Sequence, residues 1–261
     1  METLPPDFQK RKEAFLNKEG KNLRQLEDVY HQRTGGTYIS DMVFGANDGI
    51  VTTFAVVAGS TGAGLSSAVI IILGFANLLA DGLSMGIGNF LGQKSEIEYQ
   101  KGQLAKELKE IKFLPEIEEY ETRKILESHG YKGDTLEKIY KVITRDNVSW
   151  AKWMVRDELG ILETQSGSPA RHGIATFIAF LIAGLVPLLP YLSGLPQKNL
   201  FLYSIISTAI TLFITGSLRS KVYPKPWYKT GLEMLFVGSI ASVAAYLIGI
   251  FLEGFTKNIG G

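Results

Sequence analysis

The sequence predicts an all-α polytopic membrane protein with five transmembrane helices and a helical domain inserted between helices 2 and 3. Three observations predict it. Charge is confined to separate blocks, the intervening spans are long enough for a bilayer, and the longest charged block repeats apolar residues at helical spacing. The 261-residue chain is 46% hydrophobic and 20% charged, carries a net charge of +1, and has no cysteine. These averages exclude a disordered chain, a disulfide scaffold and a strongly basic nucleic-acid binder, so no nucleic-acid partner is expected. Thiolate chemistry and cysteine-ligated metals are excluded as well.

The charge blocks set the boundaries. Residues 1–41 carry 14 charged side chains, and residues 42–93 carry only Asp48 and Asp81. Residues 94–172 carry 29, of which 15 are acidic and 14 basic. Residues 173–218 carry Lys198 alone, and 230–252 carry Glu233 alone. A soluble fold would need charge on the outer face of most helices. Five long uncharged spans are also hard to bury in a chain of this length.

The N-terminal segment, residues 1–41, places Phe8, Phe15, Leu16, Leu23, Leu26 and Tyr30 at helical spacings. It reads as one or two amphipathic helices on the lipid bilayer surface or against the inserted domain. The first two spans, near 42–61 and 67–93, are separated by the small, flexible run Gly59-Ser60-Thr61-Gly62-Ala63-Gly64. Residues 94–172 then form the inserted domain. The third and fourth spans, near 173–193 and 199–218, are divided by Ser193-Gly194-Leu195-Pro196, and Pro224 and Pro226 precede the fifth, near 231–252. Residues 253–261 are a short tail. The loop at 219–229 holds Arg219, Lys221, Lys225 and Lys229 and no acid, which places it in the cytoplasm by the positive-inside rule. With five spans, the N-terminus and residues 94–172 share that side and the C-terminus lies outside. No signal-peptide core is visible in the first 40 residues. A prokaryotic plasma membrane is the expected setting.

In the inserted domain Leu104, Leu108 and Ile111 share a helical face. So do Ile117, Tyr120, Ile125 and Leu126, and then Leu136, Ile139, Tyr140 and Ile143. Pro115 suits the first turn of a new helix. Gly130 and Gly133 bracket a turn, and Trp150, Trp153, Met154 and Leu159 start a further helical run. Three or four helices are expected, the first continuing directly from the second span.

The glutamates carry the chemistry. Glu107 and Glu110 sit three residues apart, and Glu118 and Glu121 repeat that spacing across the turn at Pro115. Helices joined by a short turn pack antiparallel, which brings the pairs together. Converging carboxylates repel unless a cation or proton intervenes, and oxygen ligands suit Mg, Ca, Mn and Fe(II). Glu158, with Met154 one turn before it, would complete the site from a third helix. The plainer reading is a set of solvated helix glutamates among lysines. A ferritin-type di-iron site fails, because neither His129 nor His172 has a glutamate three positions before it.

Within the spans, Asp48 lies about six residues in, roughly 9 Å below the membrane edge, and Asp81 lies near the middle of the second span. Intramembrane acids are functional candidates, the alternative being a protonated aspartate bonded to a neighbouring helix. Asn77, Asp81 and Met85 follow at steps of four and line one face. Gly45 and Gly49, Gly82 and Gly86, and Gly88 and Gly92 are small-xxx-small pairs that permit close helix contact. The acidic, amide and thioether stripe reads as an ion path. Pro187 and Pro190 read as a kink in the third span.

The run Asp41-Met42-Val43-Phe44-Gly45-Ala46-Asn47-Asp48-Gly49, followed by Thr52-Thr53-Phe54-Ala55, resembles the first span of the vacuolar iron transporter family, which includes nodulin-21-like proteins and bacterial members. Asp81-Gly82-Leu83-Ser84-Met85-Gly86, Lys94-Ser95-Glu96, Glu158-Leu159-Gly160 and Gly184-Leu185-Val186-Pro187-Leu188-Leu189-Pro190-Tyr191 resemble its later segments in the same order. The resemblance covers about residues 37–252. It implies a homodimer that exports Fe(II), and often Mn(II), from the cytosol in exchange for protons. Divalent metal is then the substrate; no cofactor and no enzyme activity are implied. It also implies that Asp48 and Met85 serve the path and that Glu107, Glu110, Glu118, Glu121, Glu158 and Met154 bind metal. One departure stands out: plant members carry a glutamate where this chain has Asn77, and Asp81 one turn on is a candidate substitute. A non-transporting membrane scaffold or sensor with a metal-binding domain is the competing reading.

Overall fold

The structure is a computed structural model and describes residues 33–161, 167–221 and 225–259, together with Gln9. The proposed amphipathic helices of the N-terminal segment lie outside the described residues. Among the described residues the chain is helical and has no strand. Helix α1 runs Arg33–Gly62, α2 Ser67–Phe113, α3 Pro115–Ser128, α4 Gly133–Ile143, α5 Asn147–Asp157 and α6 Pro169–Leu185. A 3-10 turn at Val186–Leu188 and the short α7, Leu189–Leu192, follow, then α8, Leu200–Leu218, and α9, Trp227–Ile259. Five of these segments are long and apolar enough to cross a membrane: Tyr38–Gly62, α2, Pro169–Leu192, Gln197–Leu218 and Trp227–Gly254.

The helices overrun the uncharged spans at several ends. Helix α1 starts at Arg33, before the charge-free stretch begins, and continues through Gly59 to Gly62 before turning. Charge decides where a span meets water; it does not end a helix. At about 1.5 Å per residue, α2, with 47 residues, is more than twice the length a bilayer core needs. The chain divides into two compact units, residues 91–166 and the remainder. The later turns of α2, from residue 91, belong to the same unit as the insert.

In the membrane unit α1 and α6 pack backbone to backbone. A Cβ on Gly184 would lie 2.7 Å from the Gly49 carbonyl oxygen, and one on Gly49 would collide with the Phe180 carbonyl. Gly86 likewise meets Phe177 and Gly173 of α6. Gly88 and Gly92 face open space, so that third glycine pair makes no helix contact among the described residues. Pro187 cannot donate to the preceding turn, and the helix breaks there into the 3-10 turn. The Ser204 hydroxyl of α8 donates to the buried Pro187 carbonyl at 2.7 Å.

In the insert Pro115 opens α3, and Gly130 and Gly133, at φ of 90° and 53°, make the turn into α4. Asp146 caps α5 by accepting from the Ser149 N–H at 2.9 Å. The core comprises Ile111, Trp150, Ala151 and Met154, continued by Leu126, Leu136 and Tyr140. Leu104, Leu108, Ile125, Ile139 and Ile143 pack against it, as their spacing predicts. Ile117 and Tyr120 are exposed instead, because the α3 face turned inward is the one carrying Glu118 and Thr122.

Candidate metal site

The end of α2 supplies Glu107 and Glu110, α3 supplies Glu118 and Glu121, and Glu158 stands at the C-terminal cap of α5. The short turn at Leu114 folds α3 back on α2. Carboxylate oxygens of Glu107, Glu110 and Glu118 lie within 4.8 Å of one another, and so do those of Glu118, Glu121 and Glu158. Glu118 belongs to both groups and joins them. Glu107 and Glu118 are each 3% exposed. Glu107 Oε1 and Glu118 Oε2 are buried without a hydrogen-bond partner. Burial of an unpaired anionic oxygen is costly, so each is primed for a proton or a cation.

Electrostatics follow from that crowding. Burial, then a proton shared with Glu118, then the charges of Glu118, Glu158 and Glu110 push the Glu107 carboxyl up to about 8. Glu118 is raised by burial and by Glu121 and Glu110, against the lowering effect of its bond to Glu107. Glu158 is raised by burial, then by Glu121, Glu118 and Glu110. Lys106 reaches the half-buried Glu110 at 3.4 Å, but the lysine itself is exposed and offsets little of the repulsion.

Met154 is fully buried in the hydrophobic core of the insert. Its sulfur faces the Thr122 hydroxyl at 3.3 Å, which also points to the Glu118 carbonyl at 2.7 Å and accepts from Trp150 Nε1 at 2.8 Å. Thr122 and Trp150 thus fix Met154 one turn from Glu158. Sequence reasoning missed Thr122 and gave Trp150 no role beyond a helical run; the signal was Thr122, four residues after Glu118 on the same face.

In the membrane unit, Asn77, Asp81 and Met85 follow one another along α2 as half-buried side chains, and Asn89 is the next step of the stripe. Asp48 of α1 is half-buried, and its carboxylate is near enough to that of Asp81 for the two to repel. Asn77 Nδ2 is buried without a partner. Met85 shares a cleft with Ser40, Asp41, Phe44, Gly88 and Asn89.

The VIT family model matches residues 39–250. The chain belongs to the VIT family. It is similar to Vacuolar iron transporter 1 of Eucalyptus grandis, 30% identical over 213 residues that cover 82% of this chain and 86% of that protein. Vacuolar iron transporter 1 of Arabidopsis thaliana is 29% identical over 215 residues, covering 82% and 86%. The Vacuolar iron transporter of Toxoplasma gondii is 30% identical over 232 residues, covering 85% and 77%. The VIT match begins within α1 and ends within α9, so it takes in all five candidate spans and the insert.

Proposed function

We propose that this VIT-family protein is a divalent-metal transporter that takes Fe(II), with Mn(II) as a second substrate, from the cytosol and exports it in exchange for protons. The observation that carries the reading is the convergence of five glutamates in the insert, with two buried carboxylate oxygens left unpaired. The vacuolar iron transporter names of its relatives supply the substrate class. In this reading the insert faces the cytosol, on the side of the basic 219–229 loop. Its glutamates capture metal, and Met154 with Glu158 completes the donor set. Protons bound to Glu107, Glu118 and Glu158 are displaced as the cation binds, which makes capture steeper as pH rises.

Passage through the membrane is assigned to Asp48, Asn77, Asp81 and Met85, contributed by each subunit of a homodimer. Carboxylate and thioether together favour Fe(II) over Mg(II) or Ca(II), because the softer sulfur discriminates against hard cations. Asp48 alternates between cation and proton, the two states differing by one charge. The test is Fe(II) uptake into proteoliposomes with an acidic lumen. Flux that the wild type supports and Asp48→Ala loses is expected. Metal binding without flux in the wild type would instead favour the scaffold or sensor reading.

A further inference from the structure

A closed polar network joins α1, α2 and α6 near the starts of α1 and α6. Asp41 Oδ1 accepts from Asn89 Nδ2 at 2.8 Å, and Asp41 Oδ2 pairs with His172 Nδ1 at 2.5 Å. Asn89 Nδ2 also reaches Thr176 Oγ1 at 2.7 Å, and Thr176 donates to the His172 carbonyl at 3.0 Å. The Tyr38 ring packs against the imidazole with centroids 4.8 Å apart. His172 is 3% exposed, and its Nε2 is buried without a partner. An orphaned buried nitrogen costs stability, so this arrangement is not the one packing alone would choose. What it secures is the carboxylate. Both Asp41 oxygens have one fixed protein partner, each keeps a second lone pair, and the side chain lines the cleft that also holds Met85.

We propose that His172 and Asn89 are positioning residues that hold the Asp41 carboxylate at the wall of the Met85 cleft, making Asp41 a further cation ligand on the path. The inference rests on the transport reading above. Asn89 extends the stripe of Asn77, Asp81 and Met85 by one step, so the network begins where the assigned path ends. A carboxylate held from both sides by N–H donors keeps its orientation while it exchanges cations, as outer-shell partners do for metal ligands.

The test uses the full chain in proteoliposomes with Mn(II) as probe, initial rates being measured against concentration and scaled to folded protein. Asp41→Asn is expected to abolish flux or raise KM steeply. His172→Ala is expected to raise KM by about tenfold or more, with the limiting rate little changed. His172→Asn, which keeps an N–H near the Nδ1 position, is expected to recover most of that loss. A His172→Ala variant with lowered thermal stability but unchanged KM would mean a structural role only and overturns the proposal. So does a His172→Asn variant as impaired as His172→Ala. Wild-type flux that survives Asp48→Ala counts against the assigned path and leaves these kinetics readable. If the wild type shows no flux, the transport reading fails, and EPR of Mn(II) bound to the solubilised chain decides. One ion fewer in both Asp41→Asn and His172→Ala supports the site, and equal counts overturn it.

Discussion

Replacing Glu107 by glutamine keeps the size of the side chain and removes one ionisable group from the centre of the glutamate cluster. The folded chain holds the Glu107 proton up to about 8, against an ordinary 4.5. Because the folded value is the higher one, stability from this group is complete below about pH 4.5 and is lost as pH rises through about 8. Ionising Glu107 in metal-free protein therefore carries a cost in stability that grows as pH rises across that interval. Glu118 shares the proton and therefore part of that cost. Metal-free Glu107→Gln is expected to melt several degrees above the wild type at about pH 9, and close to it near pH 5. Tryptophan fluorescence of the solubilised full chain reads this, since Trp150 and Trp153 lie in or against the core of the insert. Saturating Mn(II) is expected to reverse the order, because the wild type gains binding free energy that the variant lacks. No gain at high pH, or an equal gain at pH 5, would refute the reasoning by showing that Glu107 is already ionised at little cost.

Three further outcomes follow from packing. Thr122→Val leaves the buried Trp150 Nε1 without its acceptor and should destabilise the insert by about 1–3 kcal/mol, seen as a lower melting point in tryptophan fluorescence. Leu126→Ala, at a position 1% exposed, should cost about 2–5 kcal/mol by the same measurement. Gly49→Ala drives a methyl into the Phe180 carbonyl, so α1 and α6 must separate. The expected result is a large fall in folded, monodisperse protein on size exclusion, while Gly88→Ala, which meets open space, should leave the yield unchanged.

Much of this was legible in the sequence because the signals are periodic. The spans announce themselves by lack of charge, and the insert by Leu104, Leu108 and Ile111 or Leu136, Ile139 and Tyr140 at helical spacing. Glu107, Glu110, Glu118 and Glu121 could be paired because only the turn at Pro115 separates the two helices. The continuity of α2 was legible as well, since nothing between the second span and Leu104, Leu108 and Ile111 breaks a helix that passes from lipid to water. Asp41, Asn89 and His172 were not legible as a group. They stand 48 and 83 residues apart, and only the contact of α1, α2 and α6 brings them together. Met154 was placed at the right turn, but its burial against Thr122 and Trp150 needed the third helix in position.

The break at Pro187 also bears on how the chain is assembled during synthesis. The Pro187 carbonyl is buried and takes a side-chain partner, and a carbonyl left unsatisfied within a membrane costs several kcal/mol. Its partner, Ser204, emerges 17 residues later on the next helix. The third span therefore lacks this partner until the next helix has been made. That bond forms only once α8 has arrived beside the third span. Removing the Ser204 hydroxyl should then be felt in biogenesis, as slower insertion of that pair, before it is felt in the mature protein.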